Sequence, residues 1–163
     1  METARRLAVA TLLVASGDIA WAMLWVALTR GAGPKRVLQS VASGLLGPAA
    51  FTGGWGTAML GLALHVCIAL GWTSLFALVQ QRSSGLRTVV TRPRGALVVG
   101  LVYGAVVWLL MDGVVLPLSR ARASSPASLW FWLQLLMHPI VVGLPIVLVL
   151  ARPEPSRPRA AEG

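Results

Sequence analysis

Residues Gly53–Val79 read GGWGTAMLGLALHVCIALGWTSLFALV. Crossing a bilayer takes about 20 mostly apolar residues, and this run meets that length. Near its middle stands His65. An ionisable side chain is costly at such a depth, so it is expected to face the protein interior. Thr57, Gly61, His65, Ala69 and Thr73 recur every four residues along the run. That spacing places them on one helical face, a ridge of small residues that lets a second helix come close.

Three more apolar runs flank this one. Leu7–Leu28 is interrupted by Asp18 and continues through Trp21 and Trp25. It is longer than the apolar core of a secretory signal, so it reads as a retained transmembrane helix. Gly95–Leu116 follows Pro93, which suits a first helical turn, and carries Gly100, Gly104, Trp108 and Asp112 on one face. Ala127–Leu150 follows Ser125-Pro126, a pattern of N-cap and first-turn proline. Between the first two runs, Lys35–Leu46 places Val37, Leu38, Val41 and Leu45 opposite Lys35, Gln39 and Ser43. This segment is too short to span and is expected to be an interfacial amphipathic helix, or one folded back over the others. The expected fold is all-α: a polytopic membrane four-helix bundle of residues 1–151, with spans at about 7–28, 55–79, 95–116 and 127–150. The tail, residues 152–163, is rich in proline and charge and is expected to be disordered.

Composition agrees with that reading. Of 163 residues 56% are hydrophobic and 12% charged, and mean hydropathy is +0.77. One soluble core of this size cannot hide such a surplus of apolar residues, so lipid is the expected solvent and partner. The net charge of +9 does not indicate nucleic acid, because the basic residues cluster at the ends of apolar runs without interleaved aromatics. Arg5, Arg6, Arg82, Arg87, Arg92, Arg94, Arg152, Arg157 and Arg159 fall on the termini and second loop. Arg30, Lys35, Arg36, Arg120 and Arg122 fall on the first and third loops. The bias predicts cytoplasmic termini. The single cysteine, Cys67, forms no intrachain disulfide.

The polar residues within the runs fall near one level. At ~1.5 Å per residue, Asp18, His65 and His138 all lie within a few Å of the centres of their spans. Asp112 and Gln134 lie several Å away, toward the side of the first and third loops. Asp18 shares a face with Trp21 and Trp25, and Gln134 and His138 share one with Trp130. An unpartnered carboxylate in hydrocarbon is costly, so Asp18 is expected to pair with His65 or His138. Pro139 and Pro145 remove backbone donors and free the carbonyls of Leu135 and Val141.

The stretches Ser40–His65, Val114–Ser119 and His138–Ile146 resemble a family of small bacterial inner-membrane proteins with no established activity. The resemblance implies a four-helix fold in the bacterial inner membrane and assigns no functional residue.

Three kinds of function are compatible with these residues. The first is a structural, accessory or binding bundle whose polar cluster (Asp18, His65, Asp112, Gln134, His138) acts as interhelical glue, alone, as a homo-oligomer or in a larger membrane complex. The second is a b-type haem protein with His65 and His138 as axial ligands. Neighbouring helices lie ~8–10 Å apart, which makes the bundle diagonal about 12–14 Å. The third is proton-coupled transport or proton conduction through Asp18, His65, His138 and Asp112. A metal held by an aspartate and two histidines is a further alternative. No nucleophile motif or phosphate-binding glycine loop points to an enzyme.

Overall fold

The computed structural model describes residues 2–122 and 125–151, so the tail at 152–163 lies outside the described residues. Among the described residues all regular structure is helical. The helices are α1 (Glu2–Arg30), α2 (Pro34–Leu46), α3 (Gly54–Arg82), α4 (Ser84–Val90), α5 (Pro93–Leu118) and α6 (Leu129–Leu150). Of these, α1, α3, α5 and α6 are long and apolar enough to cross a membrane.

Local chemistry sets the boundaries. Gly31, Gly47 and Gly54 take positive φ, a conformation that only glycine adopts cheaply, at the turns around α2 and before α3. Pro34 and Pro93 open α2 and α5, where a missing N–H costs nothing. The Ser83 hydroxyl accepts from the Leu86 N–H and starts α4, a helix inside what the sequence presents as a basic loop. The fourth long helix begins at Leu129 rather than 127, capped by Ser128, whose hydroxyl accepts from the Phe131 N–H at 3.3 Å. Ser125 instead closes a turn, accepting at its hydroxyl from the Ala127 N–H and at its carbonyl from the Ser128 N–H.

Two π-helical segments interrupt the long helices. Met111–Val115 precedes Pro117 in α5, and Pro139–Gly143 precedes Pro145 in α6. In each, the N–H following the segment donates to the carbonyl five residues back, so each helix takes up one extra residue close to a proline. The Val141 carbonyl, which loses its usual partner at Pro145, faces Gly17 of α1, where an added Cβ would stand 3.6 Å away.

α5 and α6 meet backbone to backbone. A Cβ on Gly143 would lie 2.0 Å from the Gly100 carbonyl oxygen and 2.5 Å from the Gly104 nitrogen. A Cβ on Gly104 would lie 2.5 Å from the His138 carbonyl oxygen. The glycine ridge of α5 is thus seated on the π segment of α6. Around this crossing gather Val14, Ala15, Ala69, Phe76, Ala96, Val107, Val142, Ile146 and Val147, which form the apolar core. In the other half of α6, Leu129–His138 packs against α5 but reaches α1 through long side chains. The backbones there stand further apart.

α2 packs along α3. A Cβ on Gly61 would fall 1.9 Å from the Leu38 carbonyl oxygen, so this glycine, too, exists to admit a neighbouring backbone. The expected polar face of α2 is solvated only at Lys35. Gln39 and Ser43 are both buried. Gln39 donates through its amide to the Gly54 carbonyl (2.9 Å) and to Thr57 Oγ1 (3.3 Å), and Ser43 donates to the Ser40 carbonyl. Their polar atoms are satisfied inside, so burying that face carries little penalty.

Gly143→Ala is expected to destabilise the protein by about 1–3 kcal/mol through forced separation of α5 and α6. Gly71→Ala, where nothing lies within 4 Å of the added carbon, is expected to be neutral. Unfolding of both variants in detergent checks this; equal stability would contradict the close crossing.

Candidate functional site

Between the separated helix halves lies a cavity of about 790 Å³. α2 covers it with Val37, Val41 and Ser43, and its deep wall carries Asp18, His65, Gln134 and His138. Trp72, Trp108 and Trp130 add aromatic surface, and Arg120 and Arg122 line it beyond the end of α5. The structure therefore brings four of the five expected polar residues to one wall. The fifth, Asp112, is buried but does not line the cavity.

Each residue is held by its own helix and by one cross-contact. His65 sits on the buried ridge of α3 with Gly61, Ala69 and Thr73. Its Nε2 lies 3.0 Å from the Ala15 carbonyl oxygen of α1. A carbonyl only accepts, so Nε2 carries the hydrogen and donates, leaving the lone pair on Nδ1. His138 is oriented the other way round. Its Nδ1 lies 3.1 Å from the Gln134 carbonyl oxygen one turn back and donates to it. Nε2 is thereby left toward Asp18, whose Oδ1 is 3.7 Å away. That separation is within ion-pair range and longer than a formed hydrogen bond. Asp18 Oδ1 is buried and has no hydrogen-bond partner, while the Asp18 side chain as a whole is 19% exposed.

Aromatic rings brace this pair. Trp108 lies against the His138 ring, with centroids 4.8 Å apart, and its Nε1 is buried without a partner. Trp21 Nε1 donates to Gln134 Oε1, and Trp25 stacks on Trp130 with centroids 5.7 Å apart. These contacts join α1 to the first half of α6 where their backbones do not touch. The Asp18–Trp21–Trp25 face of the sequence is thus matched by the Trp130–Gln134–His138 face.

Of the two histidines expected to pair with Asp18, His138 is the one that approaches it, and His65 instead takes the Ala15 carbonyl. That choice bears on the haem alternative. Ligation of a haem iron through His65 Nε2 would require breaking the bond of that nitrogen to α1. Among the described residues no group of three or more His, Cys, Asp or Glu is placed to hold a metal ion. The sequence had no way to indicate the cavity itself. Its volume arises from helix separation, and the arginines on its rim read only as topology markers.

A double-mutant cycle on Trp21→Phe and Gln134→Leu is expected to give a coupling of about 0.6–2 kcal/mol in detergent unfolding, the range for interhelical hydrogen bonds. A coupling near zero would show that the contact does not join the helices. Comparison with protein-family models, with curated proteins and with solved structures found no match for this chain.

Proposed function

We propose that this chain is a four-helix protein of the bacterial inner membrane, with cytoplasmic termini, that binds a small amphiphilic molecule in the cavity beneath α2. Asp18 and His138 link occupancy of the cavity to a proton. The membrane part of this reading is supported by four helices of spanning length whose apolar side chains face outward. Leu12, Leu28 and Leu136 are more than 60% exposed, and a soluble surface rarely presents continuous apolar area of that kind. The charge bias of the loops supports the orientation.

The observation that carries the binding reading is the cavity with a titratable pair in its wall. A protein needing only interhelical glue gains stability by filling such a volume, since voids forfeit packing. Here small residues and separated backbones keep it open. The polar groups lie where the dry core ends: Ala15, Ala69 and Val142 belong to the core and also border the Asp18–His65–His138 level. A carboxylate and an imidazole in apolar surroundings are cheapest as a neutral unit with one proton between them. That unit gives the cavity a proton to hold or release.

The native tryptophans Trp72, Trp108 and Trp130 report on the cavity directly. The neutral lipophilic probe N-phenyl-1-naphthylamine is expected to take up their excitation in a saturable way, with one site per chain in mild detergent. Filling the cavity with Ala22→Phe and Ile68→Phe is expected to weaken binding at least tenfold. Non-saturating uptake, unchanged in the filled variant, would contradict a binding cavity.

A further inference from the structure

We propose that the molecule taken by this cavity is a lipophilic organic cation, held at Asp18 in exchange for the proton of the Asp18–His138 pair. The inference rests on the binding reading above and specifies its ligand class.

Three observations carry it. First, among the described residues Asp18 is the sole carboxylate lining the cavity, and its Oδ1 is buried without a hydrogen bond. Among the described residues its one ionisable neighbour within ion-pair range is His138, whose Nε2 stands at 3.7 Å and forms no hydrogen bond. A buried carboxylate oxygen without a donor is costly, and a positive charge beside it lowers that cost. Second, the same cavity is lined by Trp72, Trp108 and Trp130, and indole faces are the strongest aromatic partners of a cation. Trp108 is placed at the pair itself, against His138. Third, the lining is mostly aliphatic, from residues such as Val14, Ile19, Ile68 and Met111. That surface suits a cation whose charge is spread over a large apolar body, and a small hydrated ion would not gain from it.

Among the described residues, few ionisable groups face the cavity. α1 contributes Asp18, α3 His65 and α6 His138, while α2 contributes Ser40 and Ser43 but no charge. Arg120 and Arg122 come from the segment after α5 and are exposed. The Arg120 N–H donates to the Gly44 carbonyl (2.9 Å), which anchors this arginine at the C-terminal end of α2. Both arginines are exposed, whereas Asp18 Oδ1 is buried.

The exchange balances in charge. Without ligand, the pair holds one proton and is neutral. With a monovalent cation bound, Asp18 is the carboxylate, His138 is neutral, and one proton has left to solvent. The site thus has the same net charge in both states. Cation and proton compete for it, the condition for exchanging one against the other.

The test uses the full chain in dodecylmaltoside with tetraphenylphosphonium as probe. Tryptophan quenching is expected to saturate, with about one proton released per cation in weakly buffered solution. Apparent affinity is expected to rise as pH rises, by up to tenfold per unit while the pair is protonated. Asp18→Asn is expected to weaken binding at least tenfold and abolish proton release, whereas Asp18→Glu retains both. Should Asp18→Asn fail to fold, the wild-type proton count and Trp130→Leu, expected to weaken binding several-fold, decide the matter. Binding that is unchanged in Asp18→Asn, or that releases no proton, overturns the proposal. If N-phenyl-1-naphthylamine binds but tetraphenylphosphonium does not, the cation class falls and the cavity reading stands. The same holds if oleate binds in a manner dependent on Arg120 and Arg122. If no probe binds, both fall.

Discussion

The structure depends on one backbone-to-backbone crossing. Gly100 and Gly104 of α5 meet Gly143 of α6 with no space for a side chain. Close approach fixes the two helices in the half of the molecule that contains the apolar core. It also sets where they diverge. The π segment Pro139–Gly143 lies at the crossing, and the helix that precedes it, Leu129–His138, reaches α1 only through Trp21, Trp25 and Asp18. Tight packing on one side and long side chains on the other produce a cavity between them. In that sense the glycines that exclude volume in one half create it in the next.

The polar residues are arranged to match. His65 and His138 each commit one ring nitrogen to a backbone carbonyl, and by opposite choices: Nε2 for His65, Nδ1 for His138. His65 thereby joins α3 to α1, which is a structural role. His138 is left with a nitrogen toward Asp18, the contact on which the proposed proton exchange rests. Two histidines that look equivalent by depth and helix position are made different by which neighbour each ring meets. α2 completes the enclosure, because the close contact at Gly61 brings it against α3 and over the opening.

Much of this was legible in the sequence. The small-residue ridge on α3 and the glycine ridge on α5 are the buried faces of those helices. The level shared by Asp18 and His138 follows from counting residues along apolar runs. Other features were hidden for physical reasons. α2 reads as amphipathic because Gln39 and Ser43 are polar, yet internal hydrogen bonds let that face be buried. Pro139 and Pro145 read only as lost donors, whereas α6 takes up one extra residue in a π segment beside them. Ser125-Pro126 has the composition of a helix start but is spent on a turn, since Ser128 caps α6. Asp112 shares the polar character of the cluster but not its cavity, because depth and face together decide position and sequence spacing alone does not place α5 relative to α1.

The central claim is that His138, and not His65, shares a proton with Asp18. Nitrogen-15 solid-state NMR of histidine-labelled protein in lipid bilayers tests it most directly, since the chain has only two histidines. The account predicts two different tautomers, Nε2–H for His65 and Nδ1–H for neutral His138. It also predicts that Asp18→Asn shifts the Nε2 signal of His138 and leaves His65 in place. Identical tautomers, or an Asp18→Asn spectrum in which only His65 moves, would contradict it.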